Sequence, residues 1–404
     1  MTMFDLSARM KNIQPSVTFG LNAKANELRS QGIDVINLAI GEPDFDTPEW
    51  IQDAAINAIK GGITRYTPSD GFPDLKKAIQ TKMTRDYKLD YDLDMITAGA
   101  GSKQILFNAL LASINPGDEV IIPAPYWGSY PEIVRFCEGV PVIVPCSPQN
   151  DFKITANQLD GYITDRTRWI ILNSPNNPTG AYYSGENLKK LSSVLMEYNK
   201  VNILTDDIYE NLIYDDEKFI NILQVEPRLK FRTLIINGVS KSYAMTGWRL
   251  GFGVGPKNLI QGIKLLSSQS TSNACSISQA AAIAALTGPQ DFLEDWKKSY
   301  QERRDASFEL INSIPHLSCI MPKGAFFHYV NCAKLIYSKT QNGNYLKTED
   351  DIVSYLLTKA KVMVVGGASF GLSPFFRISY ASSMDNVKTG CKRISKAISN
   401  LIVN

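Results

Sequence analysis

Histidine is the scarcest reactive residue in this chain of 404 residues, which contains only His316 and His328. Two histidines are too few for a histidine-rich metal centre, so we expect no metal in the functional site. They also make a catalytic triad built on histidine an unfavourable hypothesis.

An excess of charge of one sign is also missing. The chain has 42 Lys and Arg against 40 Asp and Glu, which gives a formal net charge of +2, and no basic run stands out. Proteins that bind nucleic acids usually carry a clustered positive surface. We therefore expect no nucleic-acid partner.

Long apolar runs and paired cysteine motifs are absent as well. No apolar stretch approaches the ~20 residues that span a membrane, and residues 1–6 lack a basic segment followed by an apolar one. The six cysteines are scattered and form no CxxC motif. This usage is typical of free thiols in a reducing compartment. We expect a cytoplasmic protein with no membrane partner.

What the sequence does contain is a globular, core-forming composition, with 44% hydrophobic and 10% aromatic residues. From residue 95 onward, short apolar segments alternate with amphipathic ones. This alternation predicts an α/β fold with a mostly parallel seven-stranded sheet between helices. The predicted strands are 95–98, 118–122, 142–144, 169–172, 201–204, 233–236 and 250–254, the last of which we expect to close one edge.

The pattern changes near the end of this series. A long helix is predicted over 289–313, followed by strands at 317–321 and 325–330 and a last helix at 384–402. This order indicates a second, smaller α/β domain, to which the early segment contributes. We predict an N-terminal arm (1–15), a small domain (16–45 and 290–404) and a large domain (46–289).

Lys241 lies between small residues in a stretch that follows an apolar predicted strand, and Arg249 comes eight positions later. Lysine is rarely buried unless it is paired or used. A lysine in a dry, crowded place loses its proton readily and becomes a nucleophile towards carbonyl groups. Our hypothesis is that Lys241 forms a Schiff base and that Arg249 holds a phosphate.

Other polar residues follow the predicted strands, and ligands bind at the carboxyl ends of parallel strands. Gly101 and Ser102 open a helix, which suits a phosphate but also an ordinary helix cap. Trp127 is suited to stacking on a flat ring, or it is a core aromatic. Asn177 projects a hydrogen-bonding amide from a rigid, proline-rich turn, or the turn is purely structural.

Three further side chains complete the set. Asp206 ends a buried strand and needs a partner, which is either a protonated ring nitrogen or a cap or salt bridge. Tyr209 is placed to donate to a ring hydroxyl. Arg377 lies in an apolar strand and pairs either with a substrate carboxylate or with an internal one. Pyridoxal phosphate requires such a combination of groups.

With these motifs in hand, the chain resembles the pyridoxal-phosphate-dependent aminotransferases of class I/II, which have fold type I, and within them the bacterial aspartate aminotransferases. The stretch 238–251, the Asn-Pro-Thr-Gly turn at 177–180, Asp206-x-x-Tyr209 and Arg377 occur in the family's order and approximate spacing. The resemblance spans nearly the whole chain.

This resemblance implies a role for each residue, with pyridoxal 5'-phosphate bound covalently to Lys241 and with Asp206 and Tyr209 assisting catalysis. The implied cofactor ligands are Gly101, Ser102, Trp127, Asn177, Asp206, Tyr209, Ser240, Lys241, Arg249 and, from a neighbouring subunit, Tyr66. The implied substrate ligands are Gly41, Trp127, Asn177 and Arg377, with Lys103, Ser16 and Thr18 meeting a side-chain carboxylate. The implied assembly is a homodimer with shared active sites.

The implied reaction converts L-aspartate and 2-oxoglutarate to oxaloacetate and L-glutamate. It follows ping-pong kinetics through an external aldimine, a quinonoid and pyridoxamine phosphate. Lys103 is alternatively a solvated helix residue. Gly366-Gly367 and Phe327 depart from the family, where Pro-Gly and Tyr are common. Other hypotheses are a transaminase for alanine, aromatic substrates, kynurenine or prephenate, a β-lyase, and a cofactor-sensing regulatory protein.

Overall fold

The computed structural model describes residues 5–7, 9–10, 13 and 18–403, with side chains from residue 23 onward in the last range. Ser16, one of the implied substrate ligands, lies outside the described residues. Thr18 begins the first helix, but its side chain is outside them too. Most of the predicted N-terminal arm also falls outside this description.

Helices and strands alternate along most of the described chain. The α-helices are α1 (Thr18–Ser30), α2 (Glu49–Lys60), α3 (Pro73–Lys82), α4 (Ser102–Ser113), α5 (Ser129–Phe136), α6 (Ala156–Tyr162), α7 (Gly185–Glu197), α8 (Ile222–Val225), α9 (Lys257–Ser270), α10 (Ser276–Thr287), α11 (Phe292–Asn312), α12 (Glu349–Tyr355) and α13 (Met384–Ile398). The strands are β1 (Ile36–Asn37), β2 (Ile96–Gly99), β3 (Glu119–Ala124), β4 (Val140–Pro145), β5 (Thr167–Asn173), β6 (Asn202–Asp206), β7 (Thr233–Gly238), β8 (Gly251–Val254), β9 (Ser318–Cys319), β10 (Phe327–Asn331), β11 (Val362–Met363), β12 (Val365–Gly366) and β13 (Phe375–Ser379).

Seven strands form the large sheet, in the order β2-β8-β7-β6-β5-β3-β4. Strand β8 is antiparallel to both neighbours, and the other pairs are parallel. Six carboxyl ends therefore lie along one edge of the sheet. The mostly parallel seven-stranded sheet predicted from the sequence is confirmed.

The expected position of the last strand is wrong. Strand β8 does not close an edge but lies between β2 and β7. Its glycines allow helix α4 to pack directly on it, since a Cβ at Gly253 would lie 2.6 Å from Ile105 Cγ2. A Cβ at Gly251 would lie 2.2 Å from the Ser102 nitrogen. Position within a sheet depends on such packing, which order along the chain does not reveal.

Helices cover both faces of this sheet because its strands are apolar on both sides. Ile121 and Ile203 pack into one core with residues of α2, α3, α7 and α10. Val120 and Leu204, their neighbours along the strands, pack into another with α4, α5 and α9. Successive side chains of a strand point to opposite faces, so continuous apolar runs give a three-layered structure.

The second structural unit has a four-stranded antiparallel sheet, in the order β12-β13-β10-β9, and a parallel pair formed by β1 and β11. Helix α11 comes close to its predicted bounds, whereas α13 ends at Ile398, before the predicted residue 402. A separate core lies among β13, α11, α12 and α13. The domain boundaries at 45/46 and 289/290 stay a prediction.

Among the described residues, no helix has both the length and the apolar character that crossing a membrane requires.

Candidate active site

A cavity of about 1300 Å³ opens at the carboxyl edge of the large sheet. Strand β13 of the second unit and the segment 39–41 form its opposite wall. The structure brings together at this cavity most of the residues singled out in the sequence. They are Gly41, Ser102, Lys103, Trp127, Asn177, Asp206, Tyr209, Ser240, Lys241, Arg249 and Arg377.

Lys241 follows strand β7 and extends into the cavity from its floor. Its Nζ donates a hydrogen bond of 2.5 Å to the carbonyl oxygen of Gly41. Burial lowers the pKa of Lys241 to about 8 and outweighs the carboxylates of Glu42 and Asp206, which act in the opposite direction. About a tenth of this amine is therefore neutral, and nucleophilic, at pH 7, far more than for an ordinary lysine.

Asp206 is the last residue of β6 and is buried. Its Oδ2 accepts a 2.7 Å hydrogen bond from the Tyr130 hydroxyl, while Oδ1 is buried and has no hydrogen-bond partner among the described residues. Burial raises the pKa of this carboxyl group. Among the described residues, no basic side chain lies within 4.0 Å of the Asp206 carboxylate, which argues against the salt-bridge alternative.

Tyr209 lies three residues beyond Asp206 and is buried. Its ring makes edge-to-face contacts with Phe326 and Phe327, at centroid distances of 5.4 and 5.9 Å. Burial is the largest cause of the raised pKa of Tyr209. The phenol therefore remains protonated at neutral pH, where it is able to donate a hydrogen bond.

Arg377 is a buried cation on the opposite wall. It donates to Asn177 Oδ1 at 2.8 Å and to the Ala39 carbonyl at 2.5 Å, and its Nε is buried without a partner. No carboxylate of the described residues lies within 4.0 Å of it, so the structure contains no internal ion pair there. Burial lowers the pKa of Arg377 to about 10. An anionic ligand would relieve this uncompensated charge.

The start of α4 forms a cradle suited to an anion. Ser102 begins this twelve-residue helix, whose first backbone N–H groups have no partner within the helix. Gly101 has a φ of 85°, and a Cβ there would lie 2.4 Å from Arg249 Nη2. Glycine thus allows the guanidinium to lie directly against the backbone at the helix terminus.

Trp127 and Lys103 lie together at the cavity wall. The Lys103 Nζ is 4.6 Å from the centroid of the Trp127 ring. Lys103 is exposed, and no carboxylate of the described chain lies within 4.0 Å of its Nζ. This geometry leaves a cation available to a ligand without excluding a solvated residue.

Tyr66 is not brought to the cavity within a single chain. Its side chain is 90% exposed. A role at an active site therefore requires a second copy of the chain, as the resemblance implies.

Two residues of this site were missed in the sequence. Tyr130, on α5, donates a hydrogen bond to Asp206, and its only signal in the sequence was its position three residues after Trp127. Asn173, at the end of β5, contacts the end of β6 because its Nδ2 donates to the backbone carbonyl of Asp206. Its Oδ1 accepts from the backbone N–H of Asn177. A polar residue at the end of an apolar strand was the available signal.

Comparison with known proteins agrees with this geometry. Residues 33–394 match the family described as aminotransferase class I and II. The aspartate aminotransferase of Rhizobium meliloti strain 1021 is 49% identical over 98% of this chain and 97% of its own. A probable aspartate/prephenate aminotransferase of Rickettsia conorii is 48% identical over 97% of this chain and 98% of its own.

Solved structures give the same result. The crystal structure of an aspartate aminotransferase from Rhizobium meliloti has a TM-score of 0.96 and 49% identity, covering 99% of this chain and all of the other. The Thermus thermophilus aspartate aminotransferase with maleate has a TM-score of 0.91 and 38% identity, covering 98% of this chain and all of the other.

The fold and the relatives define this protein as an enzyme that transfers amino groups. The chain belongs to the aminotransferase class I and II family, whose structures of fold type I it matches over nearly its full length.

Proposed function

We propose that this enzyme binds pyridoxal 5'-phosphate covalently on Lys241 and transfers the amino group of L-aspartate to 2-oxoglutarate in ping-pong fashion. The products are oxaloacetate and L-glutamate. One observation carries the proposal. A partly buried lysine with a pKa of about 8 shares a cavity with an unpartnered carboxylate oxygen of Asp206 and with Arg377, a guanidinium that has no counter-anion.

The residues of the cavity fit this cofactor. Asp206 Oδ1 is a buried acceptor without a partner, which suits a protonated ring nitrogen. The start of α4 and Arg249 suit the phosphate. The proposed ligands are Gly101, Ser102, Trp127, Asn177, Asp206, Tyr209, Ser240, Lys241, Arg249 and, from a second copy, Tyr66.

When bound, pyridoxal phosphate supplies an aldehyde that condenses with amines and a ring that accepts electrons from the substrate Cα. Arg377 binds the α-carboxylate and thereby orients the bonds of Cα, with Gly41 and Asn177 beside it. Lys241 Nζ, once free and neutral, takes the proton from Cα. Asp206 keeps the ring nitrogen protonated, and Tyr209 donates to the ring oxygen.

A dicarboxylic substrate is supported by Lys103. This exposed cation faces the cavity and lacks a carboxylate partner among the described residues. Two of the relatives also agree in chemistry, since one is named for aspartate and the other is a structure with maleate. Ser16 and Thr18 remain proposed partners of the same carboxylate. Prephenate, named for the Rickettsia relative, also has two carboxylates and is a second candidate substrate.

We further propose a cytoplasmic homodimer. Apolar side chains cluster in sequence near the exposed Tyr66, among them Ile56, Ile59 and Ile63, each more than 40% exposed. A self-complementary contact would cover them and bring Tyr66 to the neighbouring cavity. Cysteines that are all free agree with a reducing compartment. Light scattering that gave a monomer at micromolar concentration would contradict the dimer.

The substrate assignment is tested by half-reaction rates with a panel of amino acids, followed by absorption. We expect Lys103→Met to lower kcat/KM for aspartate by about 10- to 100-fold, in line with the loss of a charge-assisted contact. The rate with alanine should change little. Lys298→Met, an exposed lysine of α11, is the control. Wild-type enzyme that reacts with alanine or phenylalanine as fast as with aspartate would refute the assignment. Release of pyruvate and ammonia would indicate a β-lyase.

A further inference from the structure

Lys82 is a buried cation outside the cavity that the proposed mechanism does not use. It ends α3, is 1% exposed, and its Nζ lies 2.5 Å from Glu210 Oε1 and 2.7 Å from Asp86 Oδ2. A buried ion pair is often no more stabilising than apolar packing. Stability alone therefore does not explain why Lys82 is buried. Glu210 directly follows Tyr209, which faces the cavity.

Tyr87 makes a second connection to the same segment. Its hydroxyl donates to Asp207 Oδ2 at 3.2 Å and accepts from Asn237 Nδ2 at 3.0 Å. Asp207 directly follows Asp206. The Asn237 carbonyl in turn accepts a 2.8 Å hydrogen bond from Ser102 Oγ. Tyr87 therefore connects the segment that carries the catalytic carboxylate to the helix start that cradles an anion.

Lys82 lies on the buried face of α3, and a local distortion of the helix brings Tyr87 to its side. Residues 83–87 form a π-turn directly after α3. In an α-helix, residues five apart diverge by about 140° around the axis, whereas i→i+5 bonding brings them together, and such turns are frequent at functional sites. The Lys82 Nζ accordingly lies 5.9 Å from the Tyr87 ring centroid. Both side chains thus reach the turn 206–210.

The charges in this cluster depend on Lys82. Asp207 and Glu210 are both buried, and burial followed by the charge of Glu210 raises the pKa of Asp207 well above its usual value. Glu210 Oε2 has no hydrogen-bond partner among the described residues. Without Lys82, a buried carboxylate would lack a counter-charge, and the turn would be free to rearrange.

We propose that Lys82 and Tyr87 are positioning residues that hold the turn 206–210 so that Asp206 and Tyr209 point into the cavity. The inference rests on the proposed function, which assigns those two side chains to the cofactor. A merely structural cluster would affect unfolding only. A positioning cluster also sets the geometry of the bound cofactor and the rate of the chemical step.

The test compares variants of the enzyme loaded with pyridoxal phosphate, well below their unfolding temperatures. Lys82→Met combined with Glu210→Gln removes the tether without leaving a buried charge, and Tyr87→Phe removes one hydroxyl. Arg304→Met and Tyr183→Phe are matched controls, since both are buried and hydrogen-bonded outside the cavity. The readouts are kcat, KM and the visible circular dichroism per bound cofactor.

We expect the double variant to lose at least tenfold in kcat with KM changed less than threefold, and its cofactor dichroism to change. Tyr87→Phe should move the same quantities in the same direction, and the controls should match wild type in all three. Test variants with wild-type kcat and dichroism would overturn the inference, even if they unfolded at lower temperature. If the double variant does not fold, Tyr87→Phe decides by the same criterion.

Failure of the proposed function gives a different result. Wild-type protein that does not bind pyridoxal phosphate would overturn that function and the positioning role together. Wild-type enzyme that binds it and transaminates, with Tyr87→Phe unchanged, would overturn the positioning role alone.

Discussion

Replacement of Arg377 by methionine should lower the activity of this enzyme without unfolding it. Its buried guanidinium has no carboxylate partner among the described residues, and burial lowers its pKa to about 10. Such a shift corresponds to about 3 kcal/mol against the charged form. Arg377→Met removes this cost but loses two hydrogen bonds from a charged donor, each worth about 1.5–3 kcal/mol. We therefore expect a free energy of unfolding between that of wild type and about 3 kcal/mol below it.

Activity should fall because the substrate carboxylate loses its partner. Removal of one partner of a buried, hydrogen-bonded charge pair costs about 2–5 kcal/mol. At 1.36 kcal/mol per factor of ten, kcat/KM for aspartate should fall between about 30-fold and about 5000-fold. Arg304→Met is the control, because its buried guanidinium is paired with Asp215. This control should lose stability and keep its kcat/KM.

The assay combines steady-state kinetics with thermal unfolding in the presence and absence of succinate, an unreactive dicarboxylate. A ligand at about 100 times its Kd stabilises the native state by about 2.7 kcal/mol. Succinate should raise the Tm of wild type and leave that of Arg377→Met unchanged. An equal rise in both proteins, or a variant with wild-type kcat/KM, would refute substrate recognition by Arg377.

Three further predictions concern the cofactor site. In the cofactor-free protein, acylation of Lys241 should have a midpoint near pH 8. Because the pKa of Lys241 is lower in the folded than in the unfolded state, the free energy of unfolding should rise by about 3 kcal/mol between about pH 8 and 10.5. This rise should be absent in Lys241→Met. Tyr130→Phe should weaken pyridoxal phosphate binding about tenfold in equilibrium dialysis, since Asp206 loses a charge-assisted hydrogen bond; unchanged affinity would contradict this. Gly101→Ala should weaken phosphate binding similarly, because the new Cβ displaces Arg249. Inorganic phosphate that competed equally well for the variant and for wild type would contradict this prediction.

The sequence predicted the fold wherever local patterns determine it. Apolar segments that alternate with amphipathic ones indicated the parallel sheet, because strands that are apolar on both faces are typical of parallel sheets covered by helices. The place of β8 inside the sheet was not predictable in this way. Its position depends on the packing of α4 against Gly251 and Gly253, a tertiary contact that leaves no periodic signal. The edge predicted for this strand was therefore wrong.

The candidate site shows the same division. Lys241, Asp206 and Arg377 were found because a charged residue in an apolar segment is unusual at any position. Tyr130 was missed because tyrosine on a helix that covers a sheet is ordinary. Only its distance of 2.7 Å from Asp206 reveals its role. Lys82 was missed for a related reason, since a lysine at a helix end is normally solvated, although its spacing places it on the buried face of α3.

These buried charges also explain why the site has to be built from separate parts of the chain. Asp206 lies at the end of β6 and Arg377 on β13, and neither has an oppositely charged partner among the described residues. Charges left uncompensated in this way destabilise the free protein. A ligand that brings a ring cation to one and a carboxylate to the other relieves both at once. The free energy lost on folding is thus recovered on binding, and selectively for ligands with that charge arrangement.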